Sequence, residues 1–439
     1  MGRLATAFPA LRSRDFRLFF IGQLICFSGN WMQQVAHAWL VLQLTNSPFI
    51  VGVVTALSTL PILLFTLYGG VVADRVRKRP YLVTLRLLMA VEALGLGVLI
   101  LLDRITVGWI MFFALFIGLV NAFEVPARQA FVVELVGKRS LMNAIALNSS
   151  AFNLARVLGP VIAGTAIATI GLAACFFANA VSYFAVVGSL LAMRRGDAPP
   201  SRERLDLVDA FREGARYIWH NRWPRAIMVL TATTTIFGFS FLTMLAVFAR
   251  DALGQGAGGY GVLVSAVGIG ALGGALGLAA ITGRVRRYQR QLTLATATGF
   301  GAALFLAGFA PNLPAALGAL VITGCLMALH SIAGYTMLQQ EAPDPLRGRV
   351  VSFYSFVVMG MAPFGSFMYG WQAEHLGIRT TFEIGGAVCL MTATGVWWRM
   401  KRDDERRQQG MASGEPELAG QAPSSGRRSV EAEIGRAHV

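Results

Sequence analysis

The chain has 439 residues, of which 55% are hydrophobic and only 14% are charged, and apolar runs recur from one end to about residue 400. This composition excludes an ordinary soluble domain and indicates a polytopic membrane protein. In a soluble protein the net charge of +15 would suggest a nucleic-acid partner. Here the charge follows the membrane topology, as shown below, so we expect no nucleic-acid partner.

Twelve apolar spans are predicted, each at least about 18 residues long and therefore able to cross the ~30 Å hydrocarbon core as a helix. A helix satisfies its own backbone hydrogen-bonding groups, which the bilayer core requires. The sequence thus predicts an all-α integral membrane protein with twelve transmembrane helices. The predicted spans are 16–42, 48–73, 80–102, 107–133, 141–169, 172–194, 223–249, 257–282, 292–310, 314–338, 349–373 and 378–400.

The basic residues fall almost entirely on one side of these spans. On the other side we find only Arg104, Arg250 and Arg379. By the positive-inside rule both termini are expected in the cytoplasm of a multi-pass protein of the inner (plasma) membrane. The first residues run basic into the first span without a small-residue cleavage site, so we expect no cleavable signal peptide. The basic clusters lie at 3–17, 75–79, 138–139, 194–225, 284–290, 347–349 and from 399 onward.

The first span carries a polar stripe. Gln23, Asn30, Gln34 and His37 fall within about 60° of arc on a helix, and Gln33 lies on their flank. Facing lipid would leave their polar groups unsatisfied, so the stripe is expected to turn inward. There it could line a substrate cavity, or it could hold helices together by hydrogen bonds.

The loop after the second span contains Gly70, Asp74, Arg75 and Lys78. A carboxylate at a helix end beside basic residues can pair with a neighbouring helix in one conformation and release it in another. The alternative is that these charges only set the topology.

Ionisable residues inside a membrane cost about 2.5–3.5 kcal/mol on insertion scales and therefore tend to be functional. Glu124 and Arg128 are spaced to pair on one face of the fourth span, and Arg156 lies in the fifth. Together they predict a site for protons or substrate. The alternative is a neutralised pair that only joins the fourth and fifth helices.

Two internal matches predict two six-helix halves. RVRK at 75–78 matches RVRR at 284–287, and Pro160 aligns with Pro363, at offsets of 209 and 203 residues. Such paired halves are a transporter architecture. The predicted organisation is a cytoplasmic N-terminus 1–15, a first half 16–194, a cytoplasmic linker 195–222, a second half 223–400 and a disordered cytoplasmic tail 401–439.

The linker is expected to form an amphipathic helix on the membrane surface. Its apolar face comprises Leu205, Val208, Phe211, Ala215, Ile218 and Trp219. The final residues, EIGRAHV, resemble the translation of a common sequencing adapter, so we expect the natural C-terminus to differ.

The loop motif resembles the major facilitator signature Gly-x-Leu-Ala-Asp-Arg-x-Gly-Arg-Lys, with Val72 in place of Leu and Arg77 in place of the second Gly. The second-half copy has Gly283 where Asp74 would be, so the resemblance implies that the first copy is the stronger latch. Segment 146–164 resembles the fifth-helix signature of drug:proton antiporters. The residues that it keeps are Gly159, Pro160 and Gly164. They could take part in coupling, or form only a packing kink.

Segments 44–54, 211–223 and 343–356 resemble the branch of this superfamily that contains enterobactin and macrolide exporters. In the superfamily the fourth and fifth helices line a central cavity, which implies that the network of Glu124 faces it. The third helix is peripheral there, which argues against a coupling role for Glu92.

The resemblance implies a secondary exporter that moves an amphiphilic or hydrophobic small molecule outward in exchange for protons, by alternating access. Its partners would be this substrate, protons and the lipid bilayer, and we expect a monomer. No GxxxxGK[ST] loop, catalytic pair or Cys/His spacing is present, so we expect no cofactor, no metal and no enzymatic activity. An importer or uniporter of the same fold and a non-transporting membrane sensor remain alternatives.

Overall fold

The computed structural model describes residues 9–194, 207–285 and 288–412, and nearly all of these are helical. A short 3-10 turn, Pro9–Arg12, precedes the first long helix. The helices are α1 (Arg14–Thr45), α2 (Pro48–Arg75), α3 (Lys78–Leu101), α4 (Val107–Gly137), α5 (Ser140–Thr169), α6 (Leu172–Leu191), α7 (Leu207–His220), α8 (Arg222–Ala252), α9 (Ala257–Val285), α10 (Gln289–Gly308), α11 (Leu313–Glu341), α12 (Arg347–Leu376) and α13 (Ile378–Ala412).

Among the described residues, ten helices are long and apolar enough to cross a membrane, namely α2–α6 and α8–α12. Each of them coincides with a predicted span. The prediction of a helical, multi-pass membrane protein is therefore confirmed for these ten. Helix α1 is as long as they are, but its polar stripe lowers its hydropathy. Helix α13 combines an apolar first part with a charged end.

The helix boundaries follow local signals in the sequence. Helix α1 ends at Thr45, and the capping residue Asn46 adopts a left-handed conformation with φ of 50°. The next residue, Ser47, caps α2 by accepting from the backbone N–H of Ile50, and Pro48 occupies the first turn. Helices α4 and α5 are joined without a loop because Gly137 takes up the turn at φ of 68°.

The helices α1–α6 and α8–α13 are each packed mainly among themselves. Helix α1 packs on α6 and on α4–α5, and α9 and α10 pack on α11. Two extensive contacts join the sets, α2 with α12 and α5 with α9. Glycines permit both: a Cβ on Gly52 would lie 2.4 Å from the Ser366 carbonyl oxygen, and one on Gly164 would lie 2.8 Å from that of Ala257.

Polar contacts between the two sets lie at the end where α1 finishes and α2 begins and also within the spans, where Ser265 Oγ of α9 donates to the Val157 carbonyl of α5 at 2.7 Å. Arg250 Nη1 donates to Asn46 Oδ1 at 2.9 Å and to the Leu42 carbonyl at 3.2 Å. In the first turns of α5, Met142 is 79% exposed and Ile145 is 48% exposed. The two sets of helices therefore meet at the α1–α2 end and along the interior of α5 and α9.

Helix α7 packs against the start of α12. The ring of Phe211 lies 4.9 Å from that of Phe353 and 5.0 Å from that of Phe356 in α12, and Glu213 pairs with Arg349. Ile218 is fully buried, whereas Trp219, expected on the same face, is 53% exposed. The apolar face thus covers the start of α12. Leu205 and the side chain of Val208 lie outside the described part of the chain.

The described residues fall into two units, one that ends at Ala393 and one that begins at Thr394. In the second unit α13 continues to Ala412, twelve residues beyond the expected end of the last span. Lys401 and Glu405, 3.9 Å apart, form a helical i,i+4 pair within a segment of good helix formers, which accounts for the continuation. The remainder of the expected tail, 413–439, lies outside the described residues.

Candidate functional site

A cavity of about 460 Å³ lies among α1–α6. Its volume is in the range of pockets that hold drug-sized molecules. Aromatic side chains of Phe27, Trp31 and Phe152 share its wall with polar and charged ones. The polar and charged lining residues are Asn30, Gln33, Gln34, His37, Ser58, Thr59, Arg86, Glu92, Asn121, Glu124, Arg128, Asn179 and Tyr183.

A second cavity, of about 150 Å³, lies next to the first. Trp31, Gln34 and His37 line both of them. The smaller one also contacts α8 and α9 through Thr243 and Tyr260, so it lies between the two sets of helices. The polar stripe of α1 therefore runs from the larger cavity to the contact with the later helices.

The stripe turns inward, as expected. Asn30, Gln33, Gln34 and His37 line the larger cavity, whereas Gln23 is fully buried and accepts from Arg86 Nη2 at 3.1 Å. Some residues of the stripe hydrogen-bond to other helices, whereas others line the cavity. Gln23 and Gln33 bond to other helices. Oδ1 of Asn30 is buried without a hydrogen-bond partner in the described part of the chain, so it is free to accept from a bound molecule.

Glu124 is the centre of a buried ion cluster. Its Oε1 accepts from Arg128 Nε at 3.0 Å and from the guanidinium of Arg86 in α3. Glu124 and Arg86 are each only 3% exposed. Arg86 also donates to Cys26 Sγ at 3.0 Å and lies over the ring of Tyr183. Removing Glu124 would leave both guanidinium groups without this counter-charge.

Of the two arginines expected in a network with Glu124, Arg128 pairs with it in the structure. Among the described residues Arg156 makes no ion pair, and its guanidinium lies 5.9 Å from the ring centroid of Trp31. The second guanidinium that pairs with Glu124 is that of Arg86 in α3. Sequence analysis missed it, although a basic side chain several residues inside a predicted span is itself a signal.

Glu92 lies on the cavity wall, 1% exposed. Helix α3 packs on α6 and on α4–α5 and exposes Val91 on another face, yet it brings Glu92 to the cavity. Gln33 Nε2 donates to both carboxylate oxygens of Glu92, at 2.9 and 3.0 Å. Gln33 Oε1 in turn accepts from Asn179 Nδ2 at 2.7 Å, and Ser182 Oγ donates to Asn179 Oδ1 at 2.8 Å. This series of hydrogen bonds joins α1, α3 and α6.

The residues of the loop motif after α2 differ in their burial and in their partners. Lys78 is nearly buried, and its Nζ lies 2.5 Å from Glu134 Oε1 at the end of α4. This pairing holds the end of α4 against the start of α3. Asp74 and Arg75 are exposed, and Asp74 has no ion pair within the described ranges. A Cβ on Gly70 would meet nothing within 4 Å.

The helix-five motif allows close approach on two sides. A Cβ on Gly159 would lie 2.6 Å from Trp31 Cβ in α1. Further along, Gly164 contacts the start of α9, and a Cβ on Gly261 of α9 would lie 2.2 Å from the Pro160 carbonyl oxygen. The motif thus places α5 directly against α1 and α9.

A polar cavity with a buried ion cluster, enclosed by membrane-spanning helices, is typical of membrane transporters. The chain belongs to the transmembrane secretion effector family of the major facilitator superfamily, whose family model matches residues 5–426. It is thus a multi-pass membrane transporter, and its relatives are transporters and not enzymes.

The chain is similar to three characterised relatives. It is 26% identical to the staphyloferrin A transporter of Staphylococcus aureus, over 85% of this chain and 94% of the relative. It is 28% identical to the multidrug efflux pump Tap of Mycolicibacterium fortuitum, over 81% and 88%. With the enterobactin exporter EntS of Shigella boydii the identity is 27%, over 76% and 79%.

Solved structures share the fold. A bacterial homologue of the human lysosomal transporter Spinster, in an inward-facing conformation, has a TM-score of 0.69 at 14% identity, over 88% of this chain and 97% of that one. The D-xylose–proton symporter has a TM-score of 0.65 at 14% identity, over 87% and 96%. At this identity the likeness concerns the fold alone.

Proposed function

We propose that the protein is a proton-driven secondary exporter of amphiphilic or hydrophobic small molecules. The observation that carries this proposal is the cavity of about 460 Å³, in which aromatic rings and buried charges face one space among membrane spans. Aromatic side chains bind the apolar part of a cargo, and hydrogen-bonding groups orient its polar part.

The proposed topology has twelve transmembrane helices, α1–α6 and α8–α13, with both termini in the cytoplasm of the plasma membrane. The contacts between the sets support a pseudo-symmetric arrangement. If α8–α13 repeat α1–α6, then α2 corresponds to α9 and α5 corresponds to α12. The two observed contacts, α2 with α12 and α9 with α5, are then the same contact made twice.

Alternating access follows if one set of helices rocks on the other. In the proposed topology the α1–α2 end is outside, and the contacts of Arg250 with Asn46 and Leu42 join the two sets there. The exposed apolar side chains of Met142 and Ile145 lie toward the cytoplasm. This state would therefore receive cargo from the cytoplasm and would act as a monomer, because a single chain encloses the cavity.

The cargo class rests on the cavity and on the relatives. Two of the relatives are named for siderophores, and one is named a multidrug efflux pump. A wall that mixes aromatic rings with amides, hydroxyls and charges is compatible with both kinds of molecule. We therefore assign an amphiphilic organic molecule of drug or siderophore size.

Proteoliposomes with an imposed pH gradient test the proposal. A panel of ethidium, erythromycin, enterobactin and staphyloferrin A covers a lipophilic cation, a macrolide and two siderophores. We expect at least one compound to accumulate against its gradient, and a protonophore to abolish this accumulation. Flux that does not depend on the pH gradient would instead indicate a uniporter. If panel compounds bind but none is transported, a sensor is indicated.

A further inference from the structure

Two buried carboxylates face the same cavity, but their surroundings differ. Glu124 accepts from two guanidinium groups, those of Arg86 and Arg128. Glu92 accepts only from the neutral amide of Gln33. Within the described ranges no cation pairs with Glu92, and 1% of its surface is exposed. One acid is thus neutralised by partners, whereas the other has no charged partner.

The groups around Glu92 that can carry charge are few. On the cavity wall they are Arg86 of the same helix, Glu124 and Arg128 of α4, His37 of α1 and Tyr183 of α6. Both arginines already donate to Glu124 Oε1. The guanidinium of Arg86 is further held by Gln23 and Cys26. They are therefore not available to pair with Glu92 unless the cluster breaks.

These surroundings assign different roles to the two acids. Protonating Glu124 would leave the buried guanidinium of Arg86 and the partly buried one of Arg128 without a counter-charge, which is strongly unfavourable. Burying an ionised carboxylate that only an amide contacts is also costly, and this cost disappears when the group takes up a proton. Glu92 can thus exchange a proton while the cluster of Glu124 stays intact.

We propose that Glu92 is the proton-binding site of this transporter, and that Arg86, Glu124 and Arg128 form a fixed charge cluster. The assignment rests on the proposed proton-driven function and names the site that performs it. The proton binds one carboxylate oxygen of Glu92 directly from water in the cavity.

Proton binding at Glu92 changes the net charge of the cavity wall. With Glu92 ionised, the charges of the two arginines and two glutamates cancel. With Glu92 protonated, one positive charge is left over. A cationic cargo is then repelled from the cavity, because the low dielectric strengthens the repulsion. Proton and cationic cargo therefore compete for the cavity, which is the condition for exchanging one for the other.

The proton also changes the hydrogen bonding of α1. Gln33 Nε2 donates to both oxygens of ionised Glu92, but a protonated oxygen becomes a donor and no longer accepts in the same way. Gln33 must then adjust, and with it the bond to Asn179 in α6. Because Gln34 and Asn30 lie on the same helix and line the cavity, proton occupancy is transmitted to the cargo-binding surface.

Infrared spectroscopy of the purified full-length protein tests the site without any cargo. We expect a C=O stretching band of a protonated carboxyl group that disappears as the pH is raised. Glu92→Gln should lack this band, and the matched control Asp344→Asn, an exposed acid in the loop before α12, should keep it. A wild-type protein without such a band, or a band that persists in Glu92→Gln, would overturn the assignment.

Transport then tests the coupling with the panel compound that the wild-type protein accumulates most. With the membrane potential clamped at zero, exchange of one proton per cargo across about one pH unit allows about tenfold accumulation (about 1.4 kcal/mol). We expect Glu92→Gln to reduce this ratio to one while exchange down a concentration gradient persists, and Glu92→Asp to restore part of it.

The two outcomes that count against these ideas are distinct. If the wild-type protein accumulates no panel compound under a pH gradient, the proposed function fails. If the wild-type protein does so and Glu92→Gln does so equally well, the function stands and the assignment of Glu92 is wrong.

Discussion

Ser47 and Glu374, 327 positions apart in the sequence, are joined by a hydrogen bond of 2.8 Å from the Ser47 hydroxyl to Glu374 Oε2. The same oxygen accepts from the backbone N–H of Phe49 at 3.1 Å. Because Ser47 caps α2, the carboxylate of α12 lies at the positive end of the α2 dipole. This contact holds the two sets of helices together at the α1–α2 end, and it must break when that end opens.

Glu374→Ala is expected to favour the state that is open at the α1–α2 end. The loss of about 1 kcal/mol of hydrogen bonding changes the population ratio by about fivefold. Spin labels on Leu44 and Leu376, which are exposed at the ends of α1 and α12, report this change as a larger share of long distances. Asp344→Asn is the control, and identical distance distributions in the two variants would show that the contact contributes nothing.

Gly52→Ala is expected to weaken the same closure by a different route. The added methyl group would lie 2.4 Å from the Ser366 carbonyl oxygen and 2.9 Å from Gly370 Cα, so α2 and α12 must separate. Overpacking of this kind costs about 1–3 kcal/mol. Thermal unfolding in detergent measures the effect. Gly277→Ala, whose new methyl would meet nothing within 4 Å, is the matched control and should not destabilise. Equal melting temperatures would contradict the packing argument.

Glu124→Gln is expected to act mainly on stability. It leaves the buried guanidinium of Arg86 and the partly buried one of Arg128 without their counter-charge, which costs about 3–5 kcal/mol. Glu92→Gln removes no ion pair, so we expect it to melt well above Glu124→Gln. The double variant Glu124→Gln with Arg86→Met should recover part of the loss. If Glu124→Gln were as stable as Glu92→Gln, the hypothesis that Arg86, Glu124 and Arg128 form a fixed charge cluster would be wrong.

Asn30→Ala is expected to change which compounds are transported. Its buried Oδ1 has no partner in the described structure, so a cargo that donates a hydrogen bond there loses about 1 kcal/mol, or about fivefold in affinity. Gln34→Ala is expected to act in the same direction because Gln34 lines both cavities. Competition among the panel compounds in proteoliposomes measures the profile. If neither variant altered flux or preference, the polar stripe would serve packing alone.

Local patterns predicted the fold well. The Ser47–Pro48 start of α2 and the inward turn of the α1 stripe could both be inferred, because caps and helical periodicity are properties of one segment. The pair Glu124–Arg128 could be inferred for the same reason, since i,i+4 residues share a helix face.

Pairings between helices were harder to predict. Arg86 and Glu124 are 38 residues apart and on different helices, so no periodicity relates them. Arg86 lies near the start of the third span, where a basic residue is easily counted as a topology signal. Glu92 was set aside because its helix was expected to be peripheral, and only the packing of α3 brings it to the cavity.

The larger cavity has a genetic consequence. All of its described lining side chains belong to residues 27–183, whereas the closing contacts Glu374 and Gly370 are encoded far downstream. Mutations that retune cargo preference are therefore expected to accumulate in the first half of the gene, and mutations that alter the motion can arise in either half. Recombination that exchanges the first half between related genes would carry the cargo preference with it.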